Sequence, residues 1–319
     1  MNDRSRVGGR SIVVLGSLNA DLVVRVPRFP SRGETVTGTD LAVFAGGKGA
    51  NQACAVGRLG APVHMVGRVG ADGNGALLRA SLDAAGVDTA GVLADEAAPT
   101  GTALITIDAS GQNQIVIVAG ANGRVSPADV ERSRGLIQGA AFLLLQLEVP
   151  FPAVEAAAQA ARAAGVAVIL DPAPARPEAL GLLALADYVT PNESELLTLC
   201  GERPQAMGPD EAAGLARRLL ARGARRVVAK LGPLGALLVS EERTSRWPGV
   251  AVQAVDTTGA GDVWNAAFAT ALAEGATEDA AGAFANAAAA VSVTRPGAQP
   301  SMPTRSEVES RMGRKVGGR

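Results

Sequence analysis

The stretch AFLLLQLEVPFPAVEAAAQAARAAGVAVILD, residues 141–171, decides the fold. Ala141–Leu147 is a short, nearly continuous apolar run, the signature of a strand buried on both faces. Pro152–Ala164 is Ala-rich and helical in pattern, and it stops at Gly165, as helices often do. Val166–Asp171 is a second buried run. Strand, helix and strand in that order give two parallel strands joined by a crossover helix. The same alternation runs outward. Strands are expected at Ser11–Gly16, Pro62–Val69 and Arg226–Leu231. Helices are expected at Gly49–Leu59, Gly73–Ala85, Glu193–Leu199, Asp210–Ala221, Gly261–Ala273 and Glu278–Val291. The expected class is α/β, with a three-layer, doubly wound, mainly parallel sheet.

Two regions break this rhythm. Leu22–Val26 and Thr35–Phe44 alternate like strands between turn residues. Thr102–Asp108 and Asn113–Ala119 form a hairpin about Ala109-Ser110-Gly111-Gln112. They read as a small separate β-sheet inserted at about 22–44 and 101–119 into a single domain spanning 1–319. Such an insertion suits a lid; an antiparallel extension of the main sheet is the other reading.

Composition excludes several classes. The 319 residues carry a net charge of −1, and the short Arg217–Arg218 and Arg225–Arg226 pairs read as solvated faces. A nucleic-acid partner would call for a basic excess or stripe. No run approaches the ~18 apolar residues of a membrane span. Residues 1–10 are polar and do not resemble a secretory signal. A soluble, cytoplasmic protein is expected. Cys54 and Cys200 sit in apolar, helix-like stretches and read as core residues, and the single histidine, His64, in a strand-like stretch reads as structural; together they are too few for a zinc site. The tail from Arg311 to Arg319 is basic, Gly-rich and expected to fray.

Chemistry gathers in five short segments. Asp256-Thr257-Thr258-Gly259-Ala260-Gly261-Asp262 is a polar, Gly-rich turn running straight into a helix. The first amides of a helix lack intrahelical acceptors, and the helix dipole adds positive character, so the turn can cradle a phosphate. Asp262 at its rim can take a proton from an attacking hydroxyl, or can merely favour the helix start. Ala45-Gly46-Gly47-Lys48-Gly49-Ala50-Asn51 is a second Gly-rich turn opening a helix. It is neither a Walker A loop nor a GxGxxG fingerprint, and its donors suit sugar hydroxyls. Leu18-Asn19-Ala20-Asp21 places an amide and a carboxylate beyond the first strand, where ligands bind in open α/β sheets. Gln146-Leu147-Glu148 adds a carboxylate after another strand. In Thr190-Pro191-Asn192-Glu193-Ser194-Glu195, Asn192 and Glu195 can be an N-cap and its N3 partner, or can hold Mg²⁺ through water.

On these segments the sequence resembles the ribokinase-type carbohydrate kinases, the phosphofructokinase-B family, from about Val13 to Pro303. The likeness also rests on Gly16-Ser17, PSRGETVTG at 30–38, Asp171-Pro172-Ala173-Pro174-Ala175 and TRPGAQPS at 294–301. The last stretch and Asn19-Ala20-Asp21 favour the ribose-phosphorylating branch. The resemblance implies an ATP-dependent kinase acting on the 5-hydroxyl of D-ribose, with a β-lid that forms a homodimer. Asn19, Asp21, Gly47, Lys48, Asn51 and Glu148 would hold the sugar, and Asp262 would be the base. Gly259, Ala260 and Gly261 would form the anion hole. Asn192, Lys230, Leu231, Gly232, Gly235 and Asn286 would lie along ATP, and Glu195 would help place Mg²⁺. Asp256, Thr258, Ser292, Arg295, Gly297 and Ser301 would surround K⁺. Lys230 departs from the threonine often found there in that branch, and resembles some fructose and keto-sugar kinases.

A fructokinase or nucleoside kinase is the alternative within the family, although a nucleoside pocket needs an apolar platform and aromatics are only 3% of the chain. A non-catalytic sugar sensor would have lost Asp262 or the anion hole, and neither is lost. A dinucleotide oxidoreductase is disfavoured by the missing GxGxxG.

Overall fold

The structure is a computed structural model that describes residues 11–313. The segments 1–10 and 314–319, including most of the basic tail, lie outside the described residues. Arg311 does not fray; it belongs to the last helix.

The strands are β1 (Ile12–Leu15), β2 (Asn19–Arg25), β3 (Asp40–Gly46), β4 (Val63–Gly70), β5 (Asp88–Asp95), β6 (Gly101–Ile107), β7 (Asn113–Val118), β8 (Phe142–Leu145), β9 (Ala167–Leu170), β10 (Tyr188–Val189), β11 (Arg226–Lys230), β12 (Gly235–Ser240) and β13 (Thr244–Pro248). The helices are α1 (Lys48–Arg58), α2 (Gly73–Ala84), α3 (Pro127–Arg132), α4 (Arg134–Gly139), α5 (Phe151–Ala163), α6 (Glu193–Cys200), α7 (Pro209–Leu220), α8 (Ala260–Ala273), α9 (Glu278–Ser292) and α10 (Arg305–Gly313). The main sheet runs β13-β12-β11-β10-β9-β8-β1-β4-β5. It is parallel from β11 to β5, and β12 and β13 extend it antiparallel.

Alternation along the central strands builds the three layers. Val13 and Leu15 point into one core, with Leu143, Val168 and Val227 and the apolar faces of α5, α6 and α7. Ile12 and Val14 point into the other, with Leu144, Ile169 and Val228 and the faces of α1, α8 and α9. Successive strand residues face opposite sides, so near-continuous apolar runs fill both cores. Alanine lines the helix faces of both cores. In the second core, the few aromatics concentrate in one cluster of Tyr188, Trp247, Trp264 and Phe268, with centroid separations between 4.9 and 6.3 Å.

The small second sheet is separate from the main one and runs β3-β2-β6-β7. Its strands pair antiparallel except β2 with β6. Two bounds differ from expectation. β2 begins at Asn19, so the segment expected to follow the first strand is already inside the second sheet. Residues 35–39 are not strand: β3 starts at Asp40, and the preceding loop is folded on itself by the Glu34 carboxylate, which accepts from Arg28 and from the Ser31 amide. The edge strands β5 and β13, and β12 next to β13, were not expected, because their sequences mix polar, Gly and Pro residues.

The residues set aside as structural are so. Cys54 and Cys200 are buried free thiols, and burial pushes the Cys54 thiol up to about 11. His64 on β4 meets Asp88 Oδ2 at 2.9 Å, away from the chemistry. Among the described residues, no helix is long and apolar enough to cross a membrane.

Candidate active site

Because β1, β8, β9 and β11 are parallel, their carboxyl ends open on one edge, and the chain delivers Asn19, Glu148, Asp171 and Lys230 there. Helices α1 and α8 start at the same edge. Ligands of open α/β sheets bind at such an edge.

The residues expected on the sugar side come together. Gly47 has φ +88°, and a Cβ there would stand 2.7 Å from the Asn19 amide nitrogen, so only glycine brings this turn so close to β2. Glu148 Oε2 accepts from Ser17 Oγ at 2.6 Å and from the Lys48 amide at 3.2 Å. Burial and the nearby Glu148 charge push the Asp21 carboxyl up to about 7. Asn122, which no sequence signal marked, fixes the rest. It accepts from the Leu18 amide at 2.9 Å, and its Nδ2 donates to Leu18 O at 2.9 Å and to Asn19 Oδ1 at 2.7 Å. The Asn19 amide is thereby oriented with its oxygen committed to protein and its NH₂ left for another partner.

Asp262 stands in the first turn of α8 and is buried. Its Oδ2 accepts from Asn51 Nδ2 at 3.0 Å and its Oδ1 from Gln52 Nε2 at 3.1 Å. Burial pushes its carboxyl up to about 6; Lys48 opposes the rise, Asp171 adds to it, and the two amide bonds oppose it. Asn51 Oδ1 is a buried acceptor without a protein donor. Burial works against the Lys48 charge, but the carboxylates of Asp262, Asp171, Glu148 and Glu195 outweigh it and raise the lysine above its usual range.

Of the three amides expected to form an anion hole, one is already bonded. The Ala260 amide is taken by Thr257 O at 3.2 Å, and the first amide bonded one turn back is that of Val263, to Gly259 O at 2.9 Å. The amides left for a ligand at this helix start are those of Gly261 and Asp262 as well as Gly259, rather than that of Ala260.

Two cavities meet beside it. One, of about 520 Å³, is lined by Lys48, Asp171, Asn192, Glu195, Lys230 and Asp262. The other, of about 510 Å³, has apolar walls from Val250, Val252, Ala289, Val293 and Trp264. Lys230, Gly232 and Gly261 line both. The loop between β11 and β12 is closed by the Leu231 amide on Gly235 O at 2.8 Å. Gly235, at φ +91°, leaves no room for a Cβ, which would stand 2.1 Å from Trp247 O. Asn286 borders the apolar cavity, but its amide is committed elsewhere: Nδ2 donates to Trp247 O and Pro248 O, and Oδ1 accepts from Trp264 Nε1. The apolar walls of this cavity were not legible as a site, because Val, Ala and Gly there look like ordinary core.

Asn192 and Glu195 form a reciprocal cap on α6, each accepting from the other's backbone amide at 2.8–2.9 Å. Burial and Asp171 raise the Glu195 carboxyl, with Lys230 opposing. Asp256 accepts from the Thr258 amide and hydroxyl and from the Gly297 amide at 2.8 Å. Partial burial opposes its ionisation, but these bonds outweigh it and hold the carboxyl below the usual range. The two loops are therefore already joined by a direct bond. Ser292 and Ser301 donate their hydroxyls to Ala289 O and Ala298 O, and Arg295 pairs with Glu307.

Residues 10–305 match the family described as pfkB family carbohydrate kinase. The chain belongs to that family. It is 41% identical over 298 residues to a ribokinase of Haemophilus influenzae, covering 93% of this chain and 97% of the relative. It is 42% identical over 302 residues to a ribokinase of Bacillus subtilis, covering 94% and 98%. The fold matches a structure of Arabidopsis thaliana ribokinase complexed with ribose and ATP, with a TM-score of 0.89 and 37% identity over 96% of this chain and 99% of that one. As a carbohydrate kinase, the chain has a phosphate donor and an alcohol acceptor to place at this edge.

Two of the raised carboxyls, Asp21 and Asp262, are expected to set a pH dependence. A carboxylate must be ionised to take a proton or to accept from two hydroxyls. The free enzyme's kcat/KM for the acceptor is expected to fall as pH drops through about 7, where Asp21 protonates, and more steeply below about 6, where Asp262 does. A rate profile flat down to pH 5 would contradict both assignments.

Proposed function

We propose that the chain transfers the γ-phosphoryl group of ATP to the 5-hydroxyl of D-ribose, giving D-ribose 5-phosphate and ADP. One observation carries this reading: a buried, hydrogen-bonded Asp262 stands between a polar cleft and two cavities that share Lys230 and Gly261. The Asn19 amide, Asp21, the Asn51 oxygen and Glu148 supply donors and acceptors for ring hydroxyls, with Gly47 and Lys48 closing the turn. Unpaired buried groups of this kind penalise an acceptor lacking the matching hydroxyl. The likeness to a ribokinase described with ribose and ATP supports the same choice.

The step balances simply. Asp262 takes the proton of the 5-hydroxyl as its oxygen bonds to the γ-phosphorus. The bond from that phosphorus to the β,γ-bridging oxygen breaks, and its electron pair leaves with ADP. Developing charge on the phosphoryl oxygens is met by the free amides at the α8 start and by Lys230. Adenine would occupy the apolar cavity, and the phosphates would run past Gly232 toward Gly261 and along the Asn192 side.

The residues fit Mg²⁺ as a companion of the nucleotide. Asp21, Glu148, Asp171, Glu195 and Asp262 gather near Lys48 and Lys230; burial raises the Asp21, Glu195 and Asp262 carboxyls, and neighbouring carboxylates add to each rise. A polyphosphate entering such a crease needs a divalent cation to neutralise it. Among the described residues, no cluster of three His, Cys, Asp or Glu could cage a metal, so Glu195 would act through water. Oxygen donors around an ionised Asp256, with Thr258, Ser292, Arg295, Gly297 and Ser301 contributing mainly carbonyls, fit a weakly hydrated monovalent cation such as K⁺. It would stiffen the turn that carries the free amides.

The second sheet would be the lid of one kinase domain, and would join two copies. Strand register puts Leu41, Val43, Leu104, Val116 and Val118 on the face opposite Asp21, each 43–66% exposed. Strand alternation gives one apolar face with Ala103, Ile105 and Ile107 and a second with Ile115 and Ile117; the register puts all five on the side of Asp21, where Ala103 is buried, Ile105 and Ile107 are half-buried, and Ile115 and Ile117 are exposed. A four-stranded sheet with an apolar outer face gains from a partner's copy. No nucleic acid or membrane is part of this reading, and a cytoplasmic location suits it.

An ADP-release assay over ribose, fructose and adenosine tests the acceptor; a higher kcat/KM for either competitor would replace ribose. Asp262→Asn should lower kcat by roughly 10²–10⁴ with ATP binding kept, and near-normal turnover would remove the base. For the cation, kcat should be highest in K⁺ when compared with Na⁺ and tetramethylammonium at equal ionic strength. Equal rates would end that assignment. Asp256→Asn is a poorer test, because an amide there would face the Gly297 N–H and disturb the loop by itself. Light scattering should give a dimer at micromolar concentration, and a fully active monomer would refute the lid interface.

A further inference from the structure

Asp262 is not held by its own helix. Both of its hydrogen bonds come from adjacent residues of α1, Asn51 and Gln52. Gln52 does more than hold Asp262. The same Nε2 donates to Asp171 Oδ2 at 3.1 Å, and Asp171 Oδ1 accepts from Lys230 Nζ at 3.0 Å. An amide nitrogen carries two hydrogens, and here each goes to a different carboxylate. The amide cannot turn over, because Gln52 Oε1 accepts from Gln146 Nε2 at 2.7 Å. A flipped Gln52 would point its carbonyl at two carboxylates. Gln52, Gln146, Asp171, Asp262 and Lys230 are all buried.

The far end of this chain reaches the phosphate path. Lys230 Nζ lies 3.4 Å from where a Cβ on Gly261 would stand. Gly261 carries one of the free amides at the helix start, and both residues border both cavities. One end of the chain is therefore the proton acceptor and the other is an ammonium facing the group in transfer. Their separation and orientation are set by Gln52 and Asp171.

Building on the reaction proposed above, we infer that Gln52 and Asp171 are positioning residues that fasten Asp262 and Lys230 into one unit. As the phosphoryl group moves, Asp262 gains a proton and loses its charge, and negative charge builds on the phosphoryl oxygens beside Lys230. Asp171 retains both Gln52 and Lys230 through that change, so neither group has to be repositioned during the reaction.

The charges facing Asp262 are Lys48 from α1 and Asp171 from the end of β9. Lys230, at the end of β11, is paired with Asp171; Glu148 and Glu195 act on Lys48, and Glu195 also faces Lys230. Gln52 donates to Asp262 and lowers its pKa, whereas the Asp171 charge raises it. The two variants should therefore displace the acid limb of the pH profile in opposite directions. The readout is kcat against pH at saturating ribose and Mg-ATP. Gln52→Met, similar in size but without a donor, should move the limb up by about one to two pH units, with rate recovered at high pH. Asp171→Asn, close to isosteric, should move it down, and its plateau kcat should fall by roughly 10² as Lys230 loses its tether. Limbs that coincide with the unaltered enzyme, or that move the same way, would overturn the inference. So would an undiminished plateau in Asp171→Asn. The unaltered enzyme in the same series separates two failures. No turnover of ribose removes the reaction and this inference together, whereas normal turnover with unmoved limbs removes the inference alone.

Discussion

An ionised carboxylate taken out of water must be repaid in hydrogen bonds and opposite charge, and Asp262 imposes that requirement on everything around it. Asn51 and Gln52 meet its two oxygens, and Lys48 offsets its charge. These partners explain why α1 must start where it does. The Gly46-Gly47 turn delivers α1 to the sheet edge at a distance that no side chain would permit. The compensation is incomplete: the carboxyl still sits near 6, above its unfolded value of 3.8. For a carboxylate raised in this way, folding carries no cost below the unfolded value. The cost grows as pH rises through the interval and is complete above the folded value. The site thus trades stability at neutral pH for a base whose proton affinity lies close to the working range.

The same edge explains how two unlike ligands can share one centre. The polar cavity is built by the starts of α1, α6 and α8 and the ends of β9 and β11, and the apolar cavity by the loop after β13 and by α9. They adjoin only at Lys230, Gly232 and Gly261. Strand ends fix those positions to within the stiffness of the sheet. Asn19 and Asp21, beside the polar cavity, belong instead to the small sheet, and Asn122 ties the start of β2 back to the segment that follows β7. Closure of that sheet would carry Asn19 and Asp21 with it.

Much of this was legible in the sequence. Buried runs and Ala-rich helices define the parallel sheet, because both faces of it are covered and period-2 polarity disappears. The Asp256–Asp262 turn carries its own chemistry in glycine placement and a helix start. The antiparallel strands β12 and β13 at one side of the sheet were not legible, since GALLVS and TSRWP are short and lie among turn residues. Gln52 was hidden for a different reason. One helix position after Asn51, it should point about 100° away, and only the tertiary position of Asp262 lets both reach the same carboxylate. Asn122 looks like an ordinary turn residue until the strand it clamps is known. The bond from the Gly297 amide to Asp256 was not legible either, because it joins residues far apart in sequence.

The central claim is that Asp262 is a buried carboxyl with a strongly raised proton affinity, positioned for proton transfer. Infrared difference spectroscopy reads it most directly. The protonated-carboxyl stretch of the unaltered enzyme, minus that of Asp262→Asn, would be followed across pH 3 to 9 in the absence of ligands. The account predicts a band lost with a midpoint near about 6. A band already gone by about pH 4, the ordinary range for an exposed aspartate, would contradict it.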